Sequence, residues 1–397
     1  MIPNTTQALA ASYDPYAPQA LENPYPYYAA LRSVAPCLFI EKYQVYFVSR
    51  YRDAEAVLRN WQTFSSYRGT GLVRVPTPSE GGVLVSNDPP EHTRIRRTVA
   101  RDFTPHTITH LEGRVRALTT SLIDTMLEAR TVDIISQLAE PLSVTIMAEL
   151  LGLPEHHRED YPRWSDALFD VMGPPREDST SFLQVAHELL GYMSEMAVKG
   201  DYAPGGLADA LFKSVGTADI SAEEAGSIVG SLLVAGMDTT ISLIENAIAA
   251  LIENPDQWEK LHANPELAAS AVEETPRFDS PIQPGQFRNT TQETEIAGMP
   301  IPVDSRIMVG FASANRDPEQ FSDADRFLIE RKPNNHLAFG AGVHFCLGSP
   351  LVRLEAGVVL EQLARRVRSL SFAAPPKRKR NSMVRGFQEL HVLLQPA

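Results

Sequence analysis

Apolar residues recur every three or four positions through most of residues 107–200, again from Ser221 to Ile252, and again from Leu351 to about Val367. This spacing predicts a largely helical chain. Gly152–Leu153–Pro154 and Gly173–Pro174–Pro175 interrupt the first series, and Ala203–Pro204–Gly205–Gly206 reads as a turn, so residues 107–200 form a succession of helices. Ser221 caps the next helix, with Glu223 and Glu224 in its first turn. That helix is apolar nearly all round between Ile228 and Ala235, which predicts burial through the middle of the molecule.

Near the start, residues 1–22 read as a loose arm and Pro24–Val34 as a short helix with Tyr28 and Leu31 on one face. Pro36–Arg50 alternates around Glu41–Lys42 and predicts a hairpin, and Tyr51–Arg59 is helical again. Asn60–Asn87 has no sustained period and carries Gly69, Gly71, Gly81 and Gly82, which predicts a long binding or lid loop. Asp88–Pro89–Pro90–Glu91–His92 opens a helix, with Asp88 as its expected cap and the prolines in its first turn. Gln286–Gly310 alternates and turns as sheet does, and residues 370–397 read as strands and turns. The fold class is mainly α with a smaller β region.

A hydrophobic content of 43% supplies a sizeable core for 397 residues. Thirty prolines are scattered rather than gathered into a linker, so residues 1–397 read as one domain. A net charge of −13 argues against nucleic acid or an anionic membrane as partner. No run of 18 apolar residues occurs, and the first 22 residues lack the basic-then-apolar order of a signal peptide, so the expected location is cytoplasmic.

Chemistry concentrates in Phe339–Gly340–Ala341–Gly342–Val343–His344–Phe345–Cys346–Leu347–Gly348. A lone cysteine among apolar residues is ordinarily a small buried hydrophobe. Three glycines around it point instead to a backbone that takes positive φ or passes close to something flat. Its free N–H groups and the following helix N-terminus would hold the sulfur as a thiolate. A second motif, Ala235–Gly236–Met237–Asp238–Thr239–Thr240, puts a glycine, an acid and two threonines in the middle of an apolar helix, where they fit poorly. Threonine there bonds back to the carbonyl four residues earlier and bends the helix.

Together these motifs resemble the cytochromes P-450, the haem-thiolate monooxygenases, in their soluble bacterial form. The resemblance implies that haem b (iron protoporphyrin IX) lies between the helices at 221–252 and 351–367. Cys346 would be its metal ligand, framed by Phe339, Gly340, His344 and Gly348; the long helix would open beside the iron at Ala235–Thr240, where Ala235–Gly236 would leave room for dioxygen. His92, Arg96 and Arg288 would meet the propionates, and Asp238 and Thr239 would be the catalytic proton relay. Glu274 and Arg277 match the family's buried ion pair, which Arg326 would complete; Pro276 departs from the pattern and predicts local distortion. Pro350 departs too, at a helix N-terminus that tolerates it. Arg94, Arg97 and Arg101 would face an iron–sulfur ferredoxin served by an NAD(P)H-dependent reductase.

Phe64–Leu72, Gly173–Pro175 and Met383–Phe387 resemble the subgroup that oxidises para-substituted benzoates. This implies substrate contacts from Arg68, Leu72, Leu168, Phe169, Ser231, Val234, Ala235 and Phe287. Gly230 and Val234 stand where that subgroup carries an arginine and a serine, so a neutral methoxyphenol rivals the aromatic acid. A haem-thiolate sensor that never activates oxygen is the alternative from another class; Asp238–Thr239 favours the enzyme.

Overall fold

The computed structural model describes residues 6–73, 84–175, 179–216 and 220–397. Its helices are α1 (Thr6–Ala11), α2 (Pro18–Glu22), α3 (Tyr25–Val34), α4 (Tyr51–Arg59), α5 (Glu91–Val99), α6 (Pro105–Thr109), α7 (Glu112–Ala129) and α8 (Glu140–Leu151). They continue with α9 (Tyr161–Val171), α10 (Ser179–Lys199), α11 (Leu207–Ser214), α12 (Ala222–Glu253), α13 (Pro255–Ala263), α14 (Ala268–Phe278), α15 (Phe311–Ala314) and α16 (Ser349–Arg366). The strands are β1 (Cys37–Ile40), β2 (Val45–Val48), β3 (Phe64–Ser65), β4 (Thr131–Asp133), β5 (Gln286–Thr290), β6 (Thr294–Ile296), β7 (Met299–Ile301), β8 (Arg306–Val309), β9 (Val367–Phe372), β10 (Lys377–Arg378), β11 (Phe387–Glu389) and β12 (His391–Pro396).

The helix α12 is the axis of the fold. Ser221 Oγ accepts from the Glu224 N–H at 3.1 Å, and Glu224 returns the bond to the Ser221 N–H at 2.9 Å. This reciprocal cap satisfies two donors that a helix start otherwise leaves unpaired. Glu224 also takes the Arg94 guanidinium, which staples α5 to the start of α12. Beyond that end α12 packs against α8, α9, α10, α14 and α16. It is long and apolar enough to cross a membrane, but 61% of its most apolar window is buried inside the protein.

The predicted hairpin forms as β1 and β2 and extends into a five-stranded sheet ordered β1-β2-β8-β5-β3, in which only β2 and β8 run parallel. A second sheet, β4-β12-β9, gathers the end of the chain beside α7 and α16. The Asn60–Asn87 loop contains β3, and its residues 74–83 lie outside the described residues.

Three expectations are corrected. The N-terminal arm is not loose from Thr6 onward: Ala10, Tyr13 and Ala20 are buried, and Tyr13 packs 5.1 Å from Phe47 and 5.9 Å from Tyr27. Burial of aromatic surface holds a segment that has no helical period of its own. Asp88 does not cap α5, whose N-cap position is Pro90. Its carboxylate instead accepts from the Ser66 N–H at 2.9 Å and from the Ser65 hydroxyl, which ties the long loop to α5. The helix α12 does not open at Asp238–Thr239, because its helical span is continuous from Ala222 to Glu253.

Candidate functional site

The cysteine loop is anchored before it reaches the sulfur. Asn315 Oδ1 accepts from the Leu337 N–H at 2.7 Å, and Gly340 turns back on Leu337 through a 2.8 Å backbone bond. Gly340 and Gly342 both sit at φ 71°, a conformation in which a side chain is strained. A Cβ on Gly342 would also come 2.8 Å from the Leu58 carbonyl, so this glycine lets the loop lie against α4. Gly348 is different. It has φ −76°, and nothing would obstruct a Cβ there.

The Cys346 N–H donates to the Phe339 carbonyl at 2.8 Å, closing the loop, and the cysteine is exposed at its tip. Desolvation by the protein atoms around the sulfur nonetheless pushes the thiol up. The Gly348 N–H, the Arg96 charge, the Ser349 N–H and the Arg353 charge all pull the other way. Four groups around the loop thus favour negative charge on sulfur against the burial that outweighs them. Arg353 was not singled out in the sequence. It is held by Glu273 at 2.6 Å and lies 4.5 Å over the Phe339 ring.

Around the loop stands a cluster of basic side chains. Arg96 donates to the Phe345 carbonyl at 2.7 Å and the Val343 carbonyl at 3.3 Å. Arg288 is buried and donates to the Phe287 carbonyl at 2.7 Å. Burial pushes its guanidinium down to about 10, with only Asp88 opposing. His92 is buried with neither ring nitrogen partnered among the described residues, and its ring lies 4.4 Å from that of His344. Burial, then His344 and Arg96, bring the His92 ring down to about 4. His344 in turn meets the Ser66 hydroxyl at 3.2 Å, with Asp88 at 4.0 Å. Buried cations and unpartnered donors of this kind call for anionic oxygens. The two propionates of a haem held by Cys346 would answer that demand, so the residues fit the group.

On α12, Ala235 is exposed although Leu233, Val234 and Met237 around it are buried. A flat ligand lying against the helix would cover that bare patch. A Cβ on Gly236 would strike the end of Met147 at 2.0 Å, so this glycine lets that side chain of α8 lie against α12. Thr239 and Thr240 bond back to the Ala235 and Gly236 carbonyls at 2.7 Å each, without breaking the helix. Asp238 is buried. Its Oδ1 meets Lys379 Nζ at 2.9 Å, and its Oδ2 has no partner among the described residues.

Glu274 and Arg277 form the expected pair at 2.7 Å, both with fully buried side chains, and Pro276 is accommodated inside α14. Arg326 does not complete the pair with its side chain, which is exposed; its backbone carbonyl accepts from Arg277 instead. Arg331 is the second cation on Glu274, at 3.1 Å. Of the three basic residues assigned to docking, Arg94 is held by Glu224 and Glu91, while Arg97 and Arg101 are exposed.

The expected substrate contacts scatter. Leu72 and Leu168 are half-buried, and the Leu72 N–H donates to the Met172 carbonyl at 2.6 Å, so the long loop docks on the end of α9. Phe169 and Val234 are buried. Phe287 is wholly buried, with the Arg306 guanidinium 5.0 Å over its ring. Ser231 spends its hydroxyl on the Ser227 carbonyl at 2.6 Å. Arg68 is at the surface, paired with Asp304 at 3.1 Å.

A sequence model of the family "Cytochrome P450" matches residues 150–396. The chain belongs to the cytochrome P450 family. It is 36% identical to cytochrome P450 CYP199A2 of Rhodopseudomonas palustris over 388 residues, covering 97% of this chain and 94% of that protein. Among solved structures it is similar to CYP109E1 of Bacillus megaterium in complex with testosterone, at 31% identity and a TM-score of 0.87, covering 94% and 98% of the two chains. It is similar also to CREJ in complex with (4-ethylphenyl) dihydrogen phosphate, at 28% identity and a TM-score of 0.89, covering 97% and 99%. The protein is a P450 monooxygenase with haem b as cofactor, using dioxygen and electrons from redox partners.

Held through the Cys346 thiolate, a haem would supply the activation of dioxygen. The chain's own part would be to hold that thiolate with N–H groups and arginines and to seat the propionates on His92, Arg96 and Arg288. Cys346→Ser should abolish the red-shifted carbon monoxide band of a thiolate-ligated haem, while Cys37→Ser, a change at a buried strand position, should retain it in whatever protein folds. Equal behaviour of the two variants would overturn the ligand assignment.

Proposed function

We propose that this P450 inserts one oxygen atom into a small aromatic substrate, and that a neutral para-substituted ring of the methoxyphenol type suits it better than the matching benzoate. The observation that carries the choice is the state of the two acid-binding candidates. Arg68 is spent on Asp304 at 3.1 Å and Ser231 on its own helix at 2.6 Å, and Gly230 and Val234 bring no polar side chain. A carboxylate buried without a partner costs several kcal/mol. Apolar groups on α9 and α12 suit a neutral ring. The benzoate remains the second reading, favoured by the likeness of Phe64–Leu72 to the acid-oxidising subgroup. The neighbour in complex with (4-ethylphenyl) dihydrogen phosphate supports a small para-substituted ring as the substrate, though its own ligand is anionic.

Within that reading Asp238 and Thr239 handle protons: the Thr239 hydroxyl, now donating to the Ala235 carbonyl, is the group to hand one on, and Asp238 is the acid behind it. The electron donor is an iron–sulfur ferredoxin, which would meet the exposed Arg97 and Arg101 on α5.

The wild type should show a low- to high-spin shift of its haem with 4-methoxyphenol at concentrations about tenfold below those needed for 4-methoxybenzoate, a difference of about 1.4 kcal/mol. Tighter binding of the acid would overturn the neutral reading and restore the benzoate.

Replacing Thr239 by Ala should leave NADH consumption running while product per NADH falls about tenfold and hydrogen peroxide makes up the difference. Unchanged coupling would remove Thr239 from the proton path.

The double reversal Arg97→Glu with Arg101→Glu should slow ferredoxin-driven turnover by about threefold or more at low salt and by less at high salt, because steering acts on encounter. Peroxide-driven turnover, where measurable, should be unchanged. Loss of both would indicate damage to haem binding instead.

A further inference from the structure

Lys379 Nζ lies 2.9 Å from Asp238 Oδ1 on α12 and 2.8 Å from Asp166 Oδ1 on α9. The three charges join three parts of the chain far apart in sequence: the long helix, the helix beside it, and the segment after β10. That segment has little freedom. The Lys379 N–H donates to the Gly386 carbonyl at 3.2 Å, and Asn381 Oδ1 accepts from the N–H groups of Met383 and Val384 at 2.8 and 2.9 Å. Its outer edge is bound to α9: Asn381 Nδ2 donates to Asp166 Oδ1 at 2.7 Å, and the Ser382 N–H donates to Asp170 Oδ1 at 3.0 Å. A Cβ on Gly173, just past α9, would fall 2.3 Å from Ser382 Cβ, so the two segments touch closely there as well.

We propose that Lys379 is a positioning residue that fixes Asp238 by its Oδ1 and, through Asp166, makes the arrangement of that carboxylate depend on α9 being seated. The inference rests on Asp238 serving as the acid behind Thr239. Asp238 is buried, which pushes its carboxyl up, with Lys379 opposing; its second oxygen is unpartnered among the described residues, so Lys379 is the contact that aims the group. Lys379 is no proton carrier. Burial works against its charge, but Asp238 and then Asp166 more than compensate and hold the ammonium well above its usual range, so it does not give up a proton in turnover. The helix α9 carries Leu168 and Phe169, the apolar residues expected beside a substrate. If α9 lifts, Asp166 goes with it, and Lys379 is left with one carboxylate and a loosened segment. Closure of α9 over a substrate and the setting of Asp238 are then one event.

The test uses the holoenzyme with a surrogate ferredoxin and reductase, and the variants Asp238→Asn, Lys379→Met, Lys379→Arg and Asp166→Asn. Three quantities are read: product per NADH, the solvent deuterium isotope effect on turnover, and amide hydrogen exchange across residues 161–171. Lys379→Met should cut product per NADH by about threefold or more, change the isotope effect in the direction that Asp238→Asn does, and speed exchange in α9. Lys379→Arg, which can still reach both carboxylates, should recover most of the loss. Asp166→Asn should speed exchange in α9 and lower coupling by less than Lys379→Met does. If Asp238→Asn disturbs coupling and isotope effect while Lys379→Met leaves both as in wild type, the role of Lys379 is overturned and that of Asp238 stands. If Asp238→Asn itself behaves as wild type, the reading of Asp238 falls first. Faster exchange in Lys379→Met without any change in isotope effect would reduce Lys379 to a structural tie and overturn the proposal. Should Lys379→Met fail to fold, Asp166→Asn decides: wild-type exchange and coupling there overturn it.

Discussion

The ion pair of Glu274 and Arg277 carries the construction of the haem side. Between α15 and α16 the chain runs through Asn315–Leu337 with no helix or strand, so its backbone donors and acceptors need partners from elsewhere. The pair provides them. Arg277 donates to the carbonyls of Asn315, Ala324 and Arg326 at 3.0, 2.7 and 2.8 Å. Glu274 accepts from the Leu328 N–H, from Arg331 and from Asn334. A buried ion pair is costly unless nearly every donor and lone pair is used, and here they are. Pro276 contributes its carbonyl to Asn315, which in turn fixes the Leu337 N–H at the entrance of the cysteine loop. Position is therefore transmitted from α14 to the sulfur through hydrogen bonds alone. Removing either partner would leave the other charge buried, at a cost of about 3–5 kcal/mol.

The boundaries of α12 were legible because its signals are local: a serine with a glutamate three residues on, then a run too apolar to face water. The hairpin and the glycines of the cysteine loop were legible for the same reason. Arg326 and Arg331 show where such reading stops. The segment that carries them has no period, and which guanidinium reaches Glu274 depends on the path of the loop; Arg326 contributes its carbonyl while Arg331 contributes its charge. Tyr13 is another case, since its burial depends on Phe47 and Tyr27, which only tertiary packing brings near. Gly236 was read toward a ligand, and its neighbour proved to be Met147 of another helix. Lys379 lies 141 residues from Asp238, and no spacing rule can join them.

Opposite electrostatic demands are met in two separate places. At the cysteine loop the chain must hold a thiolate and two propionates, and a protein with a net charge of −13 gathers Arg96, Arg288, Arg353, His92 and His344 there. Those groups are unfavourably buried by themselves, which is why Arg288 and His92 titrate below their usual ranges, and the anions of a bound cofactor would relieve them. Behind α12 the excess is negative: two aspartates share one lysine. An excess of carboxylate over cation leaves one oxygen of Asp238 uncommitted, and an uncommitted buried acceptor is what proton handling requires. A second cation at that position would satisfy both aspartates and take that oxygen out of use. The single lysine therefore leaves Asp238 both anchored at one oxygen and available at the other.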